Sequence, residues 1–149
     1  MKVKIKKLVP EAVIPAYAKS GDAGMDLTAI SYEYKSDIDC HVFGTGLAIE
    51  IPEGYVGLIF PRSSNRKTNA YMCNHVGVID SGYRGEIMVS FKNRDVTEED
   101  MIPQLTAPYS TGNKVAQLVI LPYPNIEFEE VEELSDSERG TGGHGSTGC

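Results

Sequence analysis

The chain has 149 residues, 41% hydrophobic and 23% charged, which suits one globular domain with a real core and excludes a largely disordered chain. It contains no run of about eighteen apolar residues, so no membrane-spanning helix is expected. A net charge of −7 argues against nucleic-acid binding through a broad basic face, although a few arginines and backbone N–H groups can still hold a small anion.

Val3-Lys4-Ile5-Lys6 alternates apolar and charged residues, as an edge strand does. The N-terminus has no continuous apolar stretch, so a secretory leader is not expected. Strand-like runs follow at residues 25–29, 46–51, 55–60, 86–91 and 115–121. Turn signals separate them: Ser20-Gly21-Asp22, Pro52-Glu53-Gly54, Asp80-Ser81-Gly82 and Ser110-Thr111-Gly112-Asn113. Short strands at close spacing predict an all-β barrel or sandwich. One or two helical turns are predicted after Pro61-Arg62, with Ser63 as the N-cap. Residues 97–105 read as a polar surface excursion. Residues 127–138 hold seven acidic side chains in twelve; Phe128, Val131 and Leu134 recur every three, which suits either a short amphipathic helix or a strand leaving the body. Residues 139–148 contain five Gly and cannot fold alone. Cys40, Cys73 and Cys149 are odd in number and lack CxxC spacing, so neither a disulfide framework nor a zinc site is expected, and a cytoplasmic setting is.

Four segments carry candidate chemistry. In Val78-Ile79-Asp80-Ser81-Gly82-Tyr83 the pattern reads as a β-hairpin, and Asp80 either orients a water or caps an Asx turn. In Pro61-Arg62-Ser63-Ser64 the free N–H groups and the guanidinium form either an anion site or an ordinary helix start. Residues 139–148 could wrap phosphates through backbone N–H groups, or form a flexible tail; Arg139 and the ring of His144 are more than a spacer needs. The fourth is a pair of turns feeding strands, Gly24-Met25-Asp26-Leu27 and Gly112-Asn113-Lys114-Val115-Ala116-Gln117-Leu118. There Asp26 is either a carboxylate near a metal or a buried acceptor, and Gln117 faces either a ligand or solvent.

In order, five segments resemble the five motifs of the trimeric dUTP pyrophosphatases (dUTPases). They are Ala23-Gly24-Met25-Asp26-Leu27, Pro61-Arg62-Ser63-Ser64, the run from Asn74 to Glu86, Gly112-Asn113-Lys114-Val115-Ala116-Gln117-Leu118, and residues 139–148. The likeness spans nearly the whole chain. It implies an all-β, distorted barrel or jelly-roll (β-clip-like) subunit, with residues 1–134 as the barrel domain and 135–149 as a flexible arm that closes the active site. It also implies a homotrimer with composite sites, needing neither nucleic acid nor membrane as partner. The implied reaction is Mg²⁺-assisted hydrolysis of dUTP to dUMP and pyrophosphate, which keeps uracil out of DNA and supplies dUMP for dTMP synthesis.

On the matched positions, Asp80 is implied to hold the water that attacks the α-phosphorus. Asp26 is implied to support magnesium through its waters, or to orient Arg62. Arg62, Ser63, Ser64 and Gln117 are implied phosphate contacts. Asn74 and the backbone of Gly77, Val78 and Ile79 are implied to read uracil, and Tyr83 to pack under the deoxyribose and exclude a 2′-hydroxyl. Arg139, Gly145, Ser146 and Thr147 are implied to close over the outer phosphates, with His144 stacked on the base. Three positions depart from the family's usual pattern: Ser64 for Gly, Asn113-Lys114 for an acidic-Arg pair, and His144 for Phe. The alternatives are a dCTP deaminase-like enzyme, which needs a carboxylate where Ser90 stands, and a nucleotide-sensing interaction module on the same fold.

Overall fold

The computed structural model describes residues 1–94 and 106–143; the predicted excursion at 97–105 and the arm residues His144, Gly145, Ser146 and Thr147 lie outside them. Ten strands are present among the described residues: β1 (Lys4–Lys7), β2 (Met25–Thr28), β3 (Ser31–Lys35), β4 (Cys40–Gly44), β5 (Leu47–Glu50), β6 (Tyr55–Pro61), β7 (Ala70–Met72), β8 (Gly77–Ile79), β9 (Met88–Asn93) and β10 (Lys114–Pro122). They form two four-stranded sheets, ordered β2-β10-β6-β8 and β3-β4-β9-β7, and a two-stranded ribbon β1-β5. Every pairing is antiparallel. The result is the all-β, jelly-roll-like architecture expected.

Alternation along the strands supplies the core. Leu27, Ile59, Val115 and Leu118 from one sheet meet Phe43, Val89 and Phe91 from the other, and the Phe43 and Phe91 rings stand edge to face at 6.0 Å. Burying such side chains contributes about 1.5–3 kcal/mol each, so this interior sets the frame on which the surface segments are placed.

Three expectations are corrected. The segment around Asp80 is not a β-hairpin: β8 pairs with β6, whereas β9 pairs with β4 and β7, so residues 80–87 are a corner that carries the chain between sheets. The turn after Pro61 is a 3₁₀ helix, Ser63–Lys67, whose N-cap is Arg62 with no side-chain capping bond; Ser63 is its first residue. Beyond β10, residues 123–143 contain neither the helix nor the strand allowed for 127–138. There Phe128 is 93% exposed and Leu134 88%.

Candidate active site

Asp26 lies on β2, opposite Gln117 of β10. A β-bulge at Val115 shifts the register between Lys114 and Ala116. Without it, Lys114 and Gln117, three apart, would point to opposite faces. With it, Lys114 pairs with Thr28 and shares the face of Asp26 and Gln117, which is how bulges re-aim side chains. Lys114 Nζ then donates to Asp26 Oδ2 at 2.8 Å. On the other oxygen, Arg62 Nε donates to Asp26 Oδ1 at 2.6 Å. Burial pushes the Asp26 carboxyl up, but the hydrogen bonds and charges of Lys114 and Arg62 outweigh it and hold it below its ordinary 3.8.

Arg62 is held on all sides. Nη2 reaches Asp26 Oδ2 at 3.5 Å, and Nη1 donates to the Ser64 hydroxyl at 3.2 Å and the Lys114 carbonyl at 3.3 Å. Of the five guanidinium hydrogens, one on Nη2 has no partner among the described residues. Gln117 Nε2 donates to the Pro61 carbonyl at 3.2 Å. Its Oε1 sits 2.7 Å from where a Cβ on Gly24 would be, so a side chain there would displace the Gln117 amide from this position. Backbone bonds tie the fourth segment to the first: Gly112 N–H to Ala29 O at 2.7 Å, and Ala29 N–H to Asn113 O at 2.9 Å. The structure thus gathers Asp26, Arg62, Ser64, Lys114 and Gln117 at one end of the sheet, with Ser63 exposed beside them. Lys114 is the member that sequence reasoning did not assign; its departure from the family's pattern was the signal.

The second group lies on the corner. Asp80 is exposed, and its carboxylate makes no hydrogen bond among the described residues. The turn is closed by main chain alone, Tyr83 N–H to Asp80 O at 3.1 Å, so the Asx-cap alternative does not hold. Tyr83 Oη donates to Glu86 O at 2.9 Å, and its ring lies over Gly85, where a Cβ would clash. Val78, Ile79, Asp80 and Tyr83 line a cavity of about 180 Å³. Asn74, Gly77 and Ser90 line a neighbouring one of about 270 Å³, where Ser90 stands at the position at which a deaminase-like enzyme needs a carboxylate.

The two groups lie apart in the chain. Ile79 pairs with Gly57, which places Asp80 beside Val56, while Arg62 lies six residues further along the same strand direction. At about 3.3 Å per residue the separation is about 20 Å. Arg139 is exposed, and its Nε donates to Gly142 O at 2.9 Å.

A metal would find no cage here: among the described residues no three His, Cys, Asp or Glu side chains converge. Asp26 Oδ1, bonded to Arg62 Nε alone, keeps a second lone pair that can accept from a metal-bound water. That acceptor fits a hard cation that retains its waters, such as Mg²⁺.

The dUTPase family model matches residues 10–148. The chain is 44% identical over 149 residues to the deoxyuridine 5′-triphosphate nucleotidohydrolase of Nautilia profundicola, covering 99% of each. It is 40% identical over 149 residues to that of Thermobifida fusca, covering 99% of this chain and 79% of the relative. Among solved structures, the dUTPase of Staphylococcus bacteriophage 80alpha with dUPNHPP matches at a TM-score of 0.81 and 30% identity, over 99% of both chains. A variant dUTPase of phage phi11 of S. aureus, described as coordinating a structural Mg(II) ion, matches at 0.73 and 28%, over 89% of this chain and 98% of that one.

Proposed function

The chain belongs to the dUTPase family, and from that membership we propose how its residues divide the work of hydrolysing dUTP. The enzyme is a dUTP diphosphatase: dUTP and water give dUMP and pyrophosphate, which lowers the uracil available to DNA synthesis and supplies dUMP. The observation that carries the mechanism is the free Asp80 carboxylate, exposed on a main-chain-closed corner beside the Tyr83 ring.

Asp80 orients a water and accepts its proton as the water oxygen bonds to the α-phosphorus. The bond from that phosphorus to the bridging oxygen breaks, and pyrophosphate leaves. The transition state is highly anionic, so fixed positive charge and hydrogen-bond donors matter more than covalent help. Arg62, held by Asp26, offers its remaining hydrogen, and Ser63, Ser64 and Gln117 add donors along the phosphates. The chemistry a bound Mg²⁺ supplies is charge neutralisation on the phosphate oxygens. Asn74 and the backbone of Gly77, Val78 and Ile79 read the uracil edge. Tyr83 fills the space a 2′-hydroxyl would need.

The separation of Asp80 from Arg62 along β6 supports a composite site, in which the corner of one subunit faces the Arg62 group of another in a homotrimer. Residues 1–134 act as the barrel domain, and 135–149 as the arm that closes the site with Arg139, His144, Gly145, Ser146 and Thr147. A cytoplasmic setting is part of the same proposal; the unpaired thiols support it, and no described helix is long and apolar enough to cross a membrane. The experiment is a panel of dUTP, dCTP, dTTP and UTP assayed for pyrophosphate and for ammonia. Pyrophosphate release from dUTP well above the other three is expected. Ammonia from dCTP, or no preference for dUTP over UTP, overturns the assignment.

A further inference from the structure

Two thiols that the hydrolytic mechanism does not use are in contact. Cys40 Sγ and Cys73 Sγ are hydrogen-bonded at 3.3 Å, and both cysteines are free. Cys40 opens β4 after a turn in which Asp39 has φ +52°; Cys73 follows β7 and precedes Asn74 and His75, the latter at φ +58°. They stand on opposite sides of β9. Cys73 N–H donates to Ser90 O at 2.9 Å, and β4 pairs with the other edge from His41↔Phe91 onward. Their side chains meet at the cavity of about 270 Å³ that Asn74, Gly77 and Ser90 also line.

We propose that Cys40 and Cys73 are a reversible dithiol–disulfide pair, oxidised by small-molecule disulfides, whose closure displaces the Asn74 turn and weakens dUTP binding. The control of binding rests on the reading of Asn74 as a base contact; the bond itself does not. A disulfide spans about 2.05 Å with its Cα atoms within about 7 Å, and strands flanking a third stand about 9.5 Å apart, so closure needs the sulfurs to approach by a little over ~1 Å and the two backbones to move inward. Both residues sit at strand ends beside turns, where backbone yields most easily. Cys40 is buried and Cys73 half-buried, and the cavity gives a small reagent its path.

The step balances. One protein thiol loses its proton to water and attacks a sulfur of RSSR; RS⁻ leaves and takes up a proton. The second thiol loses its proton and attacks the protein sulfur of the mixed disulfide, and the second RS⁻ leaves and is protonated. Two protein thiols are oxidised as one RSSR is reduced to two RSH. Burial, then the hydrogen bond with Cys40, hold the Cys73 proton up to about 12, and scarce thiolate makes exchange slow at neutral pH. The pair therefore answers sustained oxidation and ignores brief pulses. A bond joining two strands across a third pulls on both, and bonds under tension are readily reduced.

The test uses the full chain, held for hours with excess oxidised glutathione, then alkylated and mapped by mass spectrometry, with dUTP kinetics measured before and after. A Cys40–Cys73 cross-linked peptide is expected, with KM for dUTP raised several-fold and restored by dithiothreitol. Cys40→Ser and Cys73→Ser should give neither cross-link nor KM shift. Full alkylation of both thiols after prolonged oxidation overturns the pair. A cross-link with unchanged KM overturns its control of binding. Asn74→Ala, assayed reduced in parallel, separates the causes: if that variant also keeps its KM, the reading of Asn74 has failed; if its KM rises, the coupling of the pair to Asn74 has failed.

Discussion

Asp80 and Asp26 are both carboxylates on strand ends, yet their surroundings give them different work. Asp26 is neutralised by two cations, and Asp80 is left unbonded among the described residues. Asp80→Asn should therefore keep its stability within about 0.5 kcal/mol, since no native contact is lost, while kcat falls about 10²–10⁴-fold. Denaturation and steady-state assays on the same preparation check both halves. For Asp26 the sign follows from its depressed pKa. The ionised, paired form stabilises the fold fully above the ordinary 3.8, and that stabilisation is lost as pH falls through the lower folded value. Asp26→Asn should be less stable than wild type at neutral pH, and its stability should decline less steeply with acid. Parallel acid limbs in urea titrations at stepped pH would sink this account.

Among the elements, the turn between β4 and β5 has the most demanding geometry. Gly46 has φ +65°, and a Cβ there would lie 2.9 Å from Val9 Cγ2 and 3.0 Å from Ala12 Cβ; its N–H also donates to Glu86 Oε1 at 2.7 Å. Gly46→Ala should cost about 1–3 kcal/mol from backbone strain, with crowding in addition. Gly54, at φ +80° but with open space around it, is the control. Urea midpoints for Gly46→Ala should fall below those for Gly54→Ala, and equality would remove the crowding argument. Six strands were legible, β1 from alternation and five as short apolar runs between turn signals. β3 was not, since Tyr32 and Tyr34 pack around His41 on a partly exposed face, nor was β4, where all five residues are buried and no alternation survives. The site was legible as ordered segments. The Lys114–Asp26 pair was not, because the bulge at Val115 breaks the period of two on which any reading of strand faces depends.

For the whole molecule, the distance between the corner and the Arg62 group predicts cooperation between chains. A protein ending at Glu138 should fold and assemble with little activity. Co-refolded with full-length Asp80→Asn, it should regain turnover, because an intact Asp80 then meets an arm from another chain; mixed assemblies without recovery would place the arm in cis. EDTA should suppress turnover and leave the circular dichroism spectrum unchanged, since no described cluster makes the fold depend on a metal. Finally, β10 is the last of the described strands and an inner strand of its sheet, with β2 on one side and β6 on the other. A nascent chain that has not yet exposed residues 114–122 beyond the ribosome leaves both neighbours with bare edges. The sheet can then close only after residues 114–122 have emerged. Long-range pairing of this kind sets folding in the range of about milliseconds to seconds. Messages cut short upstream of β10 should yield aggregating fragments in place of partial enzymes.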